Sequence, residues 1–164
     1  MLENGETRDS DDQQVQQKRI LRRAEETDLP ALLAVEQTSF FSPWKEAAFL
    51  SEFANPYSRL WVVEEGENVI GYVCTWFIHD EGQIANMAVL PEHRRRGLGK
   101  ILVHHVLQEA RKQGVLSLSL EVRRSNHAAL ELYKSFGFQK FTVRVRYYEN
   151  GEDALLMVCA VSHL

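Results

Sequence analysis

A loop between a predicted buried strand and a predicted helix has the composition of an anion-binding turn. Residues 91–100 read Pro-Glu-His-Arg-Arg-Arg-Gly-Leu-Gly-Lys. The first amides of a helix lack partners within the helix and carry the positive end of its dipole, so they offer fixed N–H donors to an anion. Gly97 and Gly99 have no Cβ and would let a phosphate approach the backbone closely. The loop therefore predicts a phosphate-binding turn.

This loop has several alternative interpretations, and only the first of them needs no phosphate. The two glycines would allow the helix to pack on the sheet, with the arginines as a solvated helix start. A Walker-type loop is disfavoured because no Gly-Lys-Ser/Thr follows the required spacer, and a dinucleotide-binding turn lacks its third glycine. Three consecutive arginines are compatible with an RNA-binding patch, but no aromatic residues interleave with them.

Length and charge limit the classes of protein to which the loop can belong. The chain has 164 residues, enough for one α/β domain and too few for two. Residues 1–17 hold five acidic side chains and one arginine, whereas the remainder has 18 of each sign and is neutral. We therefore expect a disordered acidic tail over 1–17 and one domain over 18–164. A neutral domain without a run of about 20 apolar residues predicts a cytoplasmic protein that binds neither nucleic acid nor membrane.

The cysteines predict neither a disulfide nor a metal site. Cys74 and Cys159 lie in apolar segments, with no CxxC pair and no histidine cluster nearby. Such positions are typical of buried free thiols. We expect no bound metal.

Strand and helix signals alternate from Arg19 onward, which is the pattern of an α/β domain. The apolar patterns predict strands over residues 19–24, 60–64, 69–78, 83–89, 116–122, 138–148 and 153–161, the last two forming a long hairpin. Helices are predicted to begin near Asp28, Ser42, Gly97 and Asn126, with Asn126 as an N-cap. These elements would place the phosphate loop after a central strand.

Three motifs in this order resemble the GCN5-related N-acetyltransferase (GNAT) superfamily. Residues 94–99, Arg-Arg-Arg-Gly-Leu-Gly, resemble its Q/R-x-x-G-x-G/A signature. Leu-Glu-Val-Arg at 120–123, followed by Ser125 and Asn126, and the A-x-x-L-Y-x-x-x-G-F pattern at 129–138 reinforce the match. The resemblance implies a GNAT fold, with a mixed central sheet of about seven strands flanked by about four helices. It also implies an acetyl-coenzyme A-dependent N-acetyltransferase.

The same resemblance implies where acetyl-coenzyme A binds. The loop amides would hold the pyrophosphate, the end of the preceding strand would pair with the pantetheine, and Asn126 would both cap its helix and bind the cofactor. The residues implied in cofactor binding are Met87, Ala88, Val89, Arg95, Arg96, Gly97, Leu98, Gly99, Lys100 and Asn126.

Acetyl transfer to an amine needs a neutral nucleophile and a proton for the departing thiolate. Glu121 lies on the polar face of its predicted strand, and the resemblance places it beside the amine as general base, directly or through water. Without the motif, Glu121 reads as an exposed strand glutamate. Tyr133 lies in the matching L-Y segment, where the resemblance implies a general acid near the sulfur, although aromatic residues in helices usually pack in the core.

Two C-terminal segments and one segment near the start narrow the resemblance to the N-terminal protein acetyltransferases, and among them to those acting on ribosomal-protein alanine. Residues 41–44, 146–148 and 151–157 carry this match. Tyr147 and Tyr148 would contact the peptide N-terminus, but on opposite faces of a strand at least one would be structural. We expect acetylation of an N-terminal alanine of a small-subunit ribosomal protein by a monomer or weak dimer. A small-amine acetyltransferase or a non-catalytic acyl-coenzyme A-binding module are the alternatives.

Overall fold

A seven-stranded mixed sheet forms the centre of the protein, whose computed structural model describes residues 17–161. The strands are β1 Arg19–Arg23, β2 Ser58–Glu65, β3 Asn68–Ile78, β4 Glu81–Val89, β5 Ser117–Arg123, β6 Gln139–Arg144 and β7 Ala154–Ala160. The helices are α1 Leu29–Ser39, α2 Glu46–Ala54, α3 Leu98–Lys112 and α4 His127–Ser135, with 3-10 turns at Glu26–Asp28 and Pro91–His93. This confirms the predicted α/β fold. The predicted acidic tail lies outside the described residues except for Gln17.

The sheet order is β1-β2-β3-β4-β5-β7-β6, and β4 and β5 are its only parallel neighbours among the described strands. Successive side chains of a strand point to opposite faces, and β2 shows this directly. Leu60 and Val62 pack with α1 and α2 in one core cluster, whereas Trp61 and Val63 pack with α3 and α4 in the other. The helices therefore cover the sheet on both faces.

The two parallel strands separate halfway along their length. They are paired only from Glu81 with Ser117 to Ile84 with Leu120. At that point Ala85 forms a bulge in β4, because Cys74 of β3 pairs with Asn86 while the next residue pairs with Ile84. A bulge bends its strand and increases the local twist. The C-terminal ends of β4 and β5 therefore diverge and leave a cleft between them.

The elements that flank this cleft agree with the sequence patterns. Burial along β5 alternates strictly, with the leucines inside and the serines and Glu121 on the other face. Asn126 caps α4, since its Oδ1 accepts a hydrogen bond from the Ala129 amide at 3.1 Å. Gly114 ends α3 with a φ of +75°, a left-handed conformation that glycine adopts without strain.

The prediction that the second helix begins near Ser42 was wrong. Residues 40–45 form a loop, and α2 begins at Glu46 after an extended Lys45. The Trp44 amide donates to Oε1 of Glu36 at 2.9 Å, so it serves a buried carboxylate rather than a helix. A contact with a residue eight positions earlier decides this boundary, and the local proline signal does not.

The predicted long hairpin was also wrong at its tip. Pairing of β6 with β7 ends at Arg144 with Ala154, so residues 145–153 form a nine-residue loop between the two strands. Arg146 adopts a φ of +52° and its amide donates to Oδ1 of Asp153 at 2.9 Å. This turn removes Tyr147 and Tyr148 from the strand, so the expectation that they point to opposite faces no longer applies.

Cys74 and Cys159 are buried and free, as predicted. Burial raises the pKa of the Cys74 thiol to about 12, which keeps it protonated and unreactive at neutral pH.

Within residues 17–161 no helix is long and apolar enough to span a membrane.

Candidate active site

A cavity of about 680 Å³ occupies the cleft between β4 and β5. Its walls come from the loop at 40–45, the diverging strand ends, the start of α4 and the loop at 145–153. The predicted site residues that line it are Met87, Glu121, Asn126, Tyr133, Tyr147 and Tyr148. The structure therefore brings the predicted base, acid and peptide-contacting residues to one cavity.

Both carboxylate oxygens of Glu121 are engaged, one by a hydrogen bond and the other by an ion pair. The Tyr147 hydroxyl donates to Oε2 at 2.6 Å, and Arg144 Nε lies 2.8 Å from Oε1. Only 16% of the Glu121 side chain is exposed, although it lies on the polar face of β5. Glu121 is thus an oriented carboxylate at the cavity wall and not a freely solvated strand residue.

Tyr133 is at once a core residue and a cavity residue. Its side chain is 7% exposed and meets the Phe138 ring edge to face, with centroids 5.7 Å apart. Burial raises the pKa of Tyr133 above its usual range, and the neighbouring Tyr148 raises it further. The phenol therefore stays protonated at neutral pH and can donate its proton into the cavity.

The loop at 145–153 fixes two more phenols beside these groups. The Tyr147 and Tyr148 rings meet edge to face at 5.1 Å. The Arg123 guanidinium lies 3.9 Å from the centroid of the Tyr148 ring and donates from Nη1 to Asn150 at 3.1 Å. Burial raises the pKa of Tyr148 to about 12, so its hydroxyl is a hydrogen-bond donor at neutral pH. Both tyrosines face the cavity.

The predicted phosphate loop leads directly into α3. Gly97 is the N-cap with a φ of +79°, and no described side chain caps the helix. The first helical bond is donated by the Ile101 amide to the Gly97 carbonyl, so the amides of residues 98–100 precede the helical hydrogen bonds. A Cβ at Gly97 would meet no atom within 4 Å. The turn is therefore open and has the donors that a phosphate needs.

Gly99 has a packing reason instead. A Cβ at this position would lie 2.9 Å from Cδ2 of Leu132, so the glycine lets α3 approach α4 closely. One glycine thus opens the turn, and the other allows the helices to pack.

Among the residues that the structure describes, Ala88, Val89 and the loop 95–100 do not line the cavity itself.

The end of β4 has one edge that is free of strand partners. Met87, Ala88 and Val89 pair with Val73, Tyr72 and Gly71 of β3 on one side. On the other side, the described pairing with β5 ends at Ile84. An extended chain lying in the cleft can use this edge as a further strand would, which suits a pantetheine arm.

A buried carboxylate, Glu36, also lines the cavity and is not among the predicted site residues. Glu36 is 1% exposed and accepts hydrogen bonds from Asn86 Nδ2 at 3.0 and 3.1 Å, from the Tyr72 hydroxyl and from the Trp44 amide. Burial raises the pKa of Tyr72 well above its usual range, so this hydroxyl remains a donor. Glu36 ties the loop at 40–45 to β4. The sequence did contain a signal for its burial, because Glu36 lies among the apolar residues of α1.

The described residues 17–161 contain no group of three or more His, Cys, Asp or Glu side chains placed to hold a metal ion. The polar groups of the cavity are instead carboxylates, phenols and backbone amides. These groups can move protons and bind an acyl carbonyl or phosphate by hydrogen bonding.

Comparison with known proteins gives one family. The family model described as acetyltransferase (GNAT) family matches residues 29–138. The [ribosomal protein bS18]-alanine N-acetyltransferase of Escherichia coli (strain K12) is 39% identical over 141 residues, covering 84% of this chain and 95% of the relative.

Two solved structures are similar to this chain in fold and in sequence. The crystal structure of the ribosomal-protein-S18-alanine N-acetyltransferase from Escherichia coli has a TM-score of 0.83 at 36% identity, covering 88% of this chain and 95% of that one. Ard1 from Thermoplasma volcanium has a TM-score of 0.83 at 26% identity, with 88% and 98% of the two chains covered.

Proposed function

We propose that this chain, which belongs to the acetyltransferase (GNAT) family, acetylates the α-amino group of an N-terminal alanine of a small-subunit ribosomal protein. Membership of the family makes the chain an acetyl-coenzyme A-dependent N-acetyltransferase. The substrate is carried over from relatives that are named for ribosomal protein bS18 alanine. The single observation that carries the proposal is the meeting of Glu121, Tyr133, Tyr147 and Tyr148 in one cavity.

Acetyl-coenzyme A fits the open turn and the free strand edge. The amides of residues 97–100 would bind the pyrophosphate at the start of α3, with Arg95, Arg96 and Lys100 adding charge. Met87, Ala88 and Val89 would pair with the pantetheine along the free edge of β4. Asn126 would add a hydrogen bond beside its role as the cap of α4. The acetyl group supplied in this way would lie in the cavity.

The residues of the chain supply the proton transfers. An α-amino group has a reference pKa near 8, so it is substantially protonated at neutral pH and a positioned base helps. Glu121 would accept the proton, directly or through water. The amine nitrogen forms the new bond to the acetyl carbon, the bond from that carbon to sulfur breaks, and Tyr133 gives its proton to the departing thiolate.

The tyrosine pair favours a peptide over a small amine. Tyr147 and Tyr148 lie at the cavity wall. The Tyr148 hydroxyl can donate to a backbone carbonyl that follows a peptide's first amine, and the Tyr147 oxygen, whose proton goes to Glu121, can accept from a backbone amide. The loop at 40–45, anchored through Glu36, forms a further part of the cavity wall. A small polyamine or antibiotic amine offers no backbone to this arrangement.

The test uses labelled acetyl-coenzyme A and peptides that begin with alanine. Matched peptides with a blocked N-terminus and small amines such as spermidine serve as controls. We expect one acetyl group on the free α-amine, little on the blocked peptides and little on the small amines. Robust turnover of small amines without modification of the peptides would contradict the proposal.

A further inference from the structure

Arg144 contacts the candidate base, Glu121, although the two residues lie on strands that are not adjacent in the sheet. Arg144 is the last residue of β6, and β7 lies between β6 and β5. The guanidinium extends across β7 so that Nε lies 2.8 Å from Oε1 of Glu121. Ala154 pairs with Arg144 on one side of β7 and with Arg123 on the other, and its small side chain leaves room for this path.

The contact leaves Glu121 able to act as an acceptor. A carboxylate has about four lone-pair positions, of which the Tyr147 hydroxyl takes one on Oε2, while Arg144 forms an ion pair with Oε1. No other residue in the described range 17–161 donates a recorded hydrogen bond to Glu121, so it can still accept one from an amine or a bridging water. Two anchors from different segments fix the rotamer of a side chain that would otherwise turn freely on its strand.

The ion pair is suited to orientation more than to folding energy. The Arg144 side chain is 49% exposed, whereas that of Glu121 is 16% exposed. A half-exposed pair adds little to the free energy of unfolding because solvent screens it. The ion pair with Arg144 and the hydrogen bond from Tyr147 nevertheless hold the two oxygens of the carboxylate from two different segments of the chain.

We infer that Arg144 is a positioning residue of the acetyl transfer, which holds Glu121 in the orientation that faces the bound amine. The inference rests on the proposed role of Glu121 as base. Arg144 is not itself in contact with the reacting atoms; it acts through Glu121. Its removal should therefore lower kcat and leave the binding of both substrates unchanged.

The experiment measures kcat and both KM values for Arg144→Gln, Arg144→Lys, Glu121→Gln and the double variant Glu121→Gln/Arg144→Gln. Lys140→Gln is the matched control, because Lys140 is an exposed basic residue of the same strand β6. Thermal unfolding of every variant checks that the fold is intact.

We expect Arg144→Gln to lower kcat about tenfold with both KM values within about twofold, and Arg144→Lys to recover most of the loss because it restores the charge. Glu121→Gln should lower kcat about 100-fold. In that background Arg144→Gln should cost nothing further, since the group it positions has gone. Lys140→Gln should match the unsubstituted enzyme.

Two results would overturn the inference, and they are distinguishable. If Glu121→Gln is strongly impaired but Arg144→Gln loses the same factor with and without Glu121, or changes only KM, then the positioning role is wrong and the base assignment stands. If Glu121→Gln keeps full turnover, the base assignment itself fails and the positioning role fails with it.

Discussion

Replacement of Tyr133 by phenylalanine removes the proposed general acid with the smallest change to the core. Phenylalanine keeps the ring, its edge contact with Phe138 and its burial at 7% exposure. The hydroxyl makes no hydrogen bond that the structure describes, so we expect the free energy of unfolding to change by less than about 1 kcal/mol. Any large loss of activity would then come from the chemistry.

General acid catalysis contributes about 10²- to 10⁴-fold to a rate. A thiol is a modest leaving group, with a reference pKa of about 8.5 for cysteine, so the lower end of that range applies. We expect kcat of Tyr133→Phe to fall about 100-fold, which corresponds to about 2.7 kcal/mol of transition-state stabilisation. KM for acetyl-coenzyme A should stay within about twofold.

The pH profile provides an independent readout of the same group. The protonated phenol is the active form, and burial raises its pKa above the reference value of 10.0. Activity that depends on Tyr133 is therefore fully present below pH 10 and is lost only as the pH rises through the raised pKa. We expect no alkaline fall in kcat from this group between about pH 8 and pH 10.

The assay follows thiol release with a chromogenic reagent at saturating acetyl-coenzyme A and alanine-initiated peptide. Tyr57→Phe is the matched control, because Tyr57 is 51% exposed and lies outside the cavity lining. A kcat for Tyr133→Phe within twofold of the unsubstituted enzyme would refute the acid assignment. So would an equal loss in Tyr57→Phe.

Three further predictions concern the turn, the cap and acid stability. Gly97→Ala should weaken the binding of acetyl-coenzyme A measured by calorimetry. It should also lower the free energy of unfolding by about 1 kcal/mol, because alanine is strained at a φ of +79°. Gly114→Ala, at a φ of +75°, is the control and should lower the free energy of unfolding by the same amount without altering binding. Asn126→Ala should lower Tm by about 2–4 °C through loss of the cap, and Asn126→Asp should restore it. The hydrogen bond from Arg22 lowers the pKa of Asp28, so its stabilisation is present above about pH 4 and is lost in stronger acid. In denaturant titrations, the free energy of unfolding should therefore fall less between neutral and acid pH in Asp28→Asn than in Asp80→Asn. Equal falls in the two variants would contradict the stabilising role of Asp28.

Local signals in the sequence were sufficient for the elements that flank the site. The alternation of β5 follows from the period of a strand, and the Asn126 cap follows from its position before an apolar helix. Both depend on neighbours within a few residues. The motif at 129–138 placed Tyr133 on a helix that faces the cavity.

Long-range pairing determined what the sequence did not reveal. The bulge at Ala85 arises from register with β3, and the cleft exists only because that bulge turns β4 away from β5. Tyr147 and Tyr148 leave the strand because Arg146 adopts a left-handed conformation bound to Asp153. The ion pair of Arg144 with Glu121 crosses a strand that lies between them. None of these contacts follows from spacing along the chain.

The proposed acetylation of an N-terminal alanine is tested by locating the acetyl group on a natural class of substrate. Unacetylated ribosomal proteins of the small subunit that begin with alanine are incubated with the enzyme and acetyl-coenzyme A, and their peptides are sequenced by mass spectrometry. We expect one acetyl group on the α-amine of the first alanine, and none when Glu121 and Tyr133 are both replaced. Acetylation of lysine side chains alone, or no acetylation of any such protein, would contradict the proposed function.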